Sequence, residues 1–420
     1  MLLGCIADDL TGATDLAINL AREGMSVVQV NGIPDNTIHV PAADTVVVAL
    51  KSRTIPAVEA IAQSTTALAW LREQGARRIY FKYCSTFDST PRGNIGPVTE
   101  ELAAALGATI TPATPAYPRN QRTVYRGHLF VGDVLLSETG MRDHPLTPMT
   151  DANLVRLLAA QTADPVGLID ADTIDGGVDA VRTRIERLRA EGFRHAIVDA
   201  TRDEHLTTTG EAFVDLPLTT GGAGLAVGLA RALRQDARTG HTIWARPKEP
   251  IAVAWLSGSC SVATRRQVAR ARQHVAGIQV DPLALAANGS VAARIAADAV
   301  AQAGSSPVLV YATAEPNAVT AAQAALGTER AATLVENCFR QVATALYGAG
   351  IRAFVVAGGE TAGAVVDALG VRALAIGPEI DPGVPWTCAL GGNATWLALK
   401  SGNFGSDDFF SRATQALSTA

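Results

Sequence analysis

The chain has 420 residues, 48% hydrophobic, 18% charged and 5% aromatic, with a formal net charge of -5. That length allows two or three domains with sizeable cores, and the low charge content with many small apolar residues excludes a disordered or fibrous chain. The acidic balance and the absence of a basic run argue against nucleic acid as a partner, and no stretch of about 20 apolar residues offers a membrane span.

In chain order, "LLGCIA" (Leu2 to Ala7) reads as a buried strand, and "TGATDLAINLAREG" as an amphipathic helix stopped by Gly24. "SVVQV" and "TVVVAL" are further strands, followed by a helix from about Val58 to Gln74. "RIYFKYC" (Arg78 to Cys84) is a strand, with a helix from about Ile95 to Ala105 after it; "VGLIDA" and "HAIVDA" continue the alternation. Strands that are apolar throughout, each followed by a helix, imply a parallel sheet covered on both faces.

From Gln235 the text turns charged and carries Gly and two prolines, which predicts a linker over 236–250 between domains 1–235 and 251–420. The rhythm then restarts. "IAVAWL" is a strand, "VATRRQVARARQHVA" a helix, "PVLVYAT" a strand, and a long helix spans about Arg330 to Gly348; "RAFVVAG" and "ALAIG" are the last clear strands. The fold class is therefore α/β, with two Rossmann-like domains in series built on mainly parallel sheets.

The five cysteines are odd in number, far apart and without a CxxC pair. They predict neither a disulfide framework nor a zinc site, but reduced thiols buried in a cytoplasmic protein. The first strand reaches Asp8 and Asp9 before any long apolar run, so a signal peptide is not expected.

Polar clusters fall immediately after strands. "DDLTGA" follows the first, "KSRT" follows "VVVAL", "STFDSTPRGN" follows "YFKYC", and "TPATPAYPRNQRT" follows "ATI". In the second half, "SGSCS" follows "AVAWL", "GGETAG" follows "FVVA" and "GPEIDPG" follows "ALAI". Ligands of open parallel sheets bind beyond the carboxyl ends of the strands. The first half supplies charge (Asp8, Asp9, Arg53, Lys82, Asp88, Arg92, Arg119, Arg122), which suits a small anionic polyol gripped by Arg forks and Asp acceptors. The second supplies glycine and hydroxyls: Ser257, Gly258 and Ser259, then Gly358, Gly359, Glu360 and Thr361, then Gly391, Gly392 and Asn393. Such loops let backbone N–H groups approach phosphate, which points to a nucleotide.

Plainer readings compete. Asp8–Asp9 can be a helix cap, "GGET" a tight turn, and Lys82 an edge-strand residue. His128, His144 and His205 show no triad-like spacing and default to solvated side chains. No Walker P-loop, kinase HRD/DFG set, HExxH or G-x-S-x-G occurs, and no metal-ligand set is predicted. "TTGGAGLAVGLA" weakly matches a dinucleotide fingerprint, so an NAD(P)-dependent oxidoreductase is a rival; a sugar-acid binding protein without chemistry is another.

"GCIADDLTGATDLA", "KYCSTFDSTPRGNIGPV", "PAYPRNQRTVYRGHLFV", "GGETAGAV" and "LGGNATWLALKSGNFGSDDFF" together resemble the four-carbon acid sugar kinase family, in order and over essentially the whole chain. The spacing from Lys82 to Asp88 fits its 3-oxo-tetronate subgroup. The resemblance implies a sugar-acid domain, an ATP domain and an active site in the cleft between them. It implies that Asp8 or Asp9 takes the hydroxyl proton, that Arg53, Lys82, Asp88, Arg92, Gly93 and Asn94 hold the acid, and that Ser257, the neighbouring Gly258 and Ser259, the turn Gly358–Thr361, and Gly402 hold ATP. Mg2+ is the expected companion of ATP. The expected reaction is phosphorylation of the 4-hydroxyl of a four-carbon sugar acid, 3-oxo-tetronate first, with D-threonate or D-erythronate as alternatives. The expected partners are the acid and ATP, with a homodimer left open.

Overall fold

The computed structural model describes residues 1–144, 147–234, 243–304 and 306–418. The chain divides into two compact units, Met1–Ile243 and Trp244–Ala420. Residue 235 and the first part of the expected linker, 236–242, lie outside the described residues.

Unit 1 contains β1 (Leu3–Ala7), β2 (Val27–Asn31), β3 (Thr45–Ala49), β4 (Ile79–Lys82), β5 (Thr111–Thr114), three short strands β6 (Arg122–Tyr125), β7 (His128–Val131) and β8 (Val134–Leu135), then β9 (Val166–Ile169), β10 (His195–Val198) and β11 (Leu218–Gly221). The main sheet runs β2-β3-β1-β4-β11-β5-β10-β9. Every pairing in it is parallel; Cys5, for example, faces Val47 on one side and Tyr80 on the other. Strands β1 to β5 are buried along their whole length, the pattern of a sheet covered on both faces. From β1 the chain moves outward to β2; from β4 it moves the other way. The strand order therefore reverses between β1 and β4, where open α/β sheets bind ligands.

The expected loop "TPATPAYPRNQRT" is corrected: Thr111–Thr114 is itself β5, and β6, β7 and β8 form a separate antiparallel sheet. Arg126 and Gly127 both take positive φ (51° and 74°), as a two-residue hairpin turn requires. An Arg-Gly pair is a weak turn signal, and the short polar strands around it lack a continuous apolar run.

Unit 2 contains β12 (Val253–Ser257), β13 (Gly277–Gln279), β14 (Val308–Tyr311), β15 (Ala353–Ala357), β16 (Ala373–Asp381), β17 (Val384–Ala389) and β18 (Trp396–Lys400). Their order is β13-β14-β12-β15-β18-β17-β16. The sheet is parallel except for β17, which is antiparallel to both neighbours. The second reversal of strand order lies between β12 and β15. "GPEIDPG" is not a free loop: β16 continues to Asp381, through two register shifts, into a hairpin with Gly383 at φ 81°. The core gathers Trp255, Trp386, Phe409 and Phe410, with Trp255 and Phe410 ring centroids 5.5 Å apart. Among the described residues, no helix is long and apolar enough to cross a membrane.

Candidate functional site

The reversal point of unit 1 gathers the predicted acidic pair. Asp8 leaves the end of β1 and is 5% exposed. Asp9 caps the helix Leu10–Arg22 from an extended backbone, accepting from the Gly12 amide at 3.0 Å and the Thr11 hydroxyl at 2.9 Å. One carboxylate suffices for that cap, as Asp9 demonstrates. Asp8 has another task. Arg53, beyond β3, donates Nε and Nη2 to its two oxygens, each at 2.8 Å, and the same Nη2 reaches Asp9 Oδ1 at 2.8 Å.

The two carboxyls are driven apart. Burial pushes Asp8 above the usual carboxylate range against the pull of Arg53. Burial also opposes ionisation of Asp9, but Arg53 and Lys82, with the Thr11 hydroxyl and Gly12 amide, hold it below that range. Divergence of neighbouring carboxyls is a mark of a working site.

Lys82 ends β4, which lies between β1 and β11, so the edge-strand reading is overturned. Its side chain is buried, and Nζ donates to the Tyr83 carbonyl at 2.7 Å. Gly12 shows where the groups converge: a Cβ there would stand 2.2 Å from Asp9 Oδ1 and 3.2 Å from Lys82 Nζ. Asp8, Arg53, Asp88 and Asn94 line one small recess together with Ser52 and Ser89. Asp88 accepts from the Thr86 hydroxyl at 2.5 Å. Asn94 spends its amide on the Ser52 and Ile55 carbonyls at 2.7 and 2.8 Å, which fixes the loop bearing Arg53. Gly93 leaves no room for a side chain, since its Cβ would fall 1.8 Å from Ser89 Oγ. Arg92 is exposed, and its guanidinium has no ion-pair partner among the described residues.

The reversal point of unit 2 gathers the glycines and hydroxyls. The Gly258 and Ser259 amides both donate to the Ala357 carbonyl, at 3.0 and 3.2 Å. A Cβ on Gly258 would lie 2.0 Å from Thr361 Oγ1, so any side chain there would have to displace that hydroxyl. Gly358, at φ 123°, opens the helix Gly359–Ala368 and donates to the Lys400 carbonyl at 2.9 Å. Ser257 is fully buried and shares a 2.7 Å hydrogen bond with Thr313. Glu360 is exposed at the first turn of that helix. The Gly402 carbonyl accepts from Ser261 at 2.5 Å, Thr264 at 2.7 Å and Lys400 at 3.1 Å. These contacts bring Ser257–Ser259, Gly358–Thr361 and Gly402 to one end of the sheet, at a helix start. Gly391, Gly392 and Asn393 lie between the antiparallel β17 and the first residue of β18, at the opposite end, which corrects their expected place with the others.

Several residues escaped the sequence reading. Lys400 is buried, and burial pulls its ammonium down to about 8. Its signal was a lysine closing the apolar run "WLALK". Thr264, Thr313 and Gln267 carry no signal of their own; Gln267 Nε2 holds the carbonyls of Phe404, Gly405 and Ser406. His205 is not solvated: it is buried, with Nε2 2.9 Å from Asp175 Oδ1. The glycines of "TTGGAGLAVGLA" are used for packing, since a Cβ on Gly224 would meet the Ala116 carbonyl at 2.3 Å and one on Gly228 the Leu206 carbonyl at 1.9 Å.

Comparison with known proteins divides the chain the same way. A family model described as a sugar-binding N-terminal domain matches residues 3–229, and one described as a nucleotide-binding C-terminal domain matches 254–410. A Cupriavidus necator protein named 3-oxo-tetronate kinase is 55% identical, over 99% of this chain and 97% of its own. A Pseudomonas fluorescens protein of the same name is also 55% identical, over 98% and 96%. The crystal structure of Haemophilus influenzae protein HI1011 superposes with a TM-score of 0.85 at 43% identity, covering 99% of this chain and 100% of that one.

Proposed function

This chain belongs to the four-carbon acid sugar kinase family, and from that premise we propose that it transfers the γ-phosphate of ATP to the 4-hydroxyl of 3-oxo-tetronate. The observation that carries the reading is the likeness, over nearly the whole chain, to relatives named for that activity. The residues supply the mechanism.

ATP would lie with its phosphates against the Gly258 and Gly358 turns, where the start of the helix Gly359–Ala368 supplies positive potential and the glycines add no side-chain bulk. Mg2+, the usual companion of ATP, would supply charge neutralisation there, and Glu360, exposed in the first turn of the helix Gly359–Ala368, is the carboxylate of this chain that would help to hold it. In unit 1, the unpaired guanidinium of Arg92 and the ammonium of Lys82 take the substrate carboxylate. Asp8 locks Arg53 in place with both of its oxygens. Asp9, ionised and the more exposed of the pair at 28% of its side chain against 6%, accepts the hydroxyl proton. The hydroxyl oxygen bonds to Pγ as the bond from Pγ to the bridging oxygen breaks, and ADP leaves with that electron pair. Positioning and charge neutralisation provide most of the acceleration. Dependence on ATP places the work in the cytoplasm.

A coupled ADP-release assay over 3-oxo-tetronate, D-threonate and D-erythronate tests the reading. The expected result is a kcat/KM at least about tenfold higher for 3-oxo-tetronate, a gap of about 1.4 kcal/mol in transition-state binding, with the product phosphorylated at C4. A preference for threonate or erythronate reassigns the acid, and absence of ADP release with all three overturns the kinase.

A further inference from the structure

At the opposite edge of unit 1 lies a group that the phosphoryl transfer does not use. His195 is the first residue of β10, paired in register with Val166 of β9 and Thr111 of β5. It therefore sits where strands begin, whereas Asp8 and Lys82 sit where strands end. His195 is 2% exposed, and neither Nδ1 nor Nε2 has a hydrogen-bond partner among the described residues. A buried imidazole with both nitrogens unsatisfied is costly and needs an explanation.

Two carboxylates face it. Glu100, on the helix Ile95–Leu106, places Oε1 4.0 Å from His195 Nε2, too far for a hydrogen bond. Asp164 comes from the loop before β9. One ligand atom from each of Glu100, Asp164 and His195 lies within 4.8 Å of the others. Glu100 Oε1 is itself steadied by the Ala163 amide at 2.7 Å.

We propose that Glu100, Asp164 and His195 form a divalent-cation site for which Zn2+ is the best match. One imidazole nitrogen and two carboxylate oxygens form a mixed N/O donor set that Zn2+ accepts in irregular geometry, and the Irving–Williams order favours it over Mn2+. Tetrahedral Zn2+ holds its ligand atoms about 3.3 Å apart. Closing the triangle therefore requires shifts of about an ångström, which the half-exposed Glu100 and the exposed Asp164 can make. The exposed side leaves room for water as a fourth ligand. The ion would clip three elements together (the helix Ile95–Leu106, the loop before β9 and the start of β10), and the role is structural. That helix follows Asn94, which steadies the Arg53 loop, so the clip supports the acid site from behind.

The test uses the full chain stripped with a chelator and desalted, without ATP or Mg2+. Equilibrium dialysis against Zn2+ is expected to return one ion per chain. Thermal unfolding is expected to rise by about 5 °C at a hundredfold excess over Kd. Co2+ is expected to give a visible d–d spectrum that is lost in Asp164→Asn, an exposed substitution that leaves folding intact, and in Glu100→Gln. Mg2+ alone is expected to reproduce none of these effects. A wild-type chain that binds no Zn2+ overturns the proposal. So does Zn2+ binding that survives both substitutions, which would place the ion elsewhere. Because no readout is catalytic, failure here is distinct from failure of the kinase reading.

Discussion

Arg53 grips Asp8 with two nitrogens, each 2.8 Å from a different oxygen, and shares one of those nitrogens with Asp9. Burial opposes the guanidinium charge, but Asp8 outweighs it and lifts the Arg53 pKa further above its usual value. Lysine keeps the charge and loses the fork. Arg53→Lys is expected to lower kcat/KM roughly 10²-fold through misplacement of Asp9, with circular dichroism unchanged. A variant as active as the parent would show that the fork positions nothing.

The two aspartates separate on substitution. Asparagine is a good N-cap, so Asp9→Asn is expected to keep the melting temperature while kcat falls roughly 10²–10⁴-fold. Asp8→Asn leaves Arg53 without its forked partner and is expected to cost about 2 kcal/mol of stability, below the value for a fully buried pair because Arg53 is partly exposed. Urea midpoints and single-turnover rates on both variants check the division. Equal losses of stability would erase it.

Gly258 tests the nucleotide turn. In Gly258→Ala the new methyl would lie 2.0 Å from Thr361 Oγ1. The KM for ATP is expected to rise at least about tenfold, roughly 1.4 kcal/mol of lost binding, while the KM for the acid stays within about twofold. Adding Thr361→Ala removes the clashing oxygen and is expected to recover part of the loss. A KM for ATP unchanged by Gly258→Ala would remove the turn from the nucleotide site.

Lys400 makes a pH prediction. Burial depresses its folded-state pKa to about 8, while the unfolded chain keeps a value near 10.4. Below pH 8 both states carry the proton, and burying the charge works against folding. Between about 8 and 10.4 the unfolded chain holds the extra proton, so this group makes the fold more stable as pH rises, by about 3 kcal/mol in total. Relative to Lys400→Met, the parent is therefore expected to gain stability from pH 7.5 to pH 10 in urea titrations. A gap between the two that stays constant over that range would contradict the depressed value.

The alternation of apolar strands with helices was legible because a sheet covered on both faces writes continuous runs such as "TVVVAL" and "AFVVA". The candidate site drew notice because Asp8, Arg53 and Asp88 follow such runs, as do Ser257 and Gly358, whereas Lys82 stands inside its run as the last residue of β4. What the sequence hid was long-range. The small hairpin sheet around Arg126 has no apolar run to announce it. Asn94 acts on carbonyls from another segment, and backbone acceptors leave no mark on composition; Lys400 reaches the Thr264 hydroxyl from far along the chain. His205 was misread because its partner Asp175 lies 30 residues away.

One detail of strand order governs how unit 1 comes into being. β11, at residues 218–221, is inserted between β4 and β5, so the middle of the sheet is completed by one of its last segments to be synthesised. Until that strand emerges from the ribosome, β4 and β5 have open edges and unpaired peptide groups, beside Lys82 and the acidic pair. Such edges invite pairing with another molecule. A nascent or truncated chain ending before residue 218 would thus carry nearly every side chain proposed to bind the acid and still lack the support to hold them, and would aggregate rather than bind.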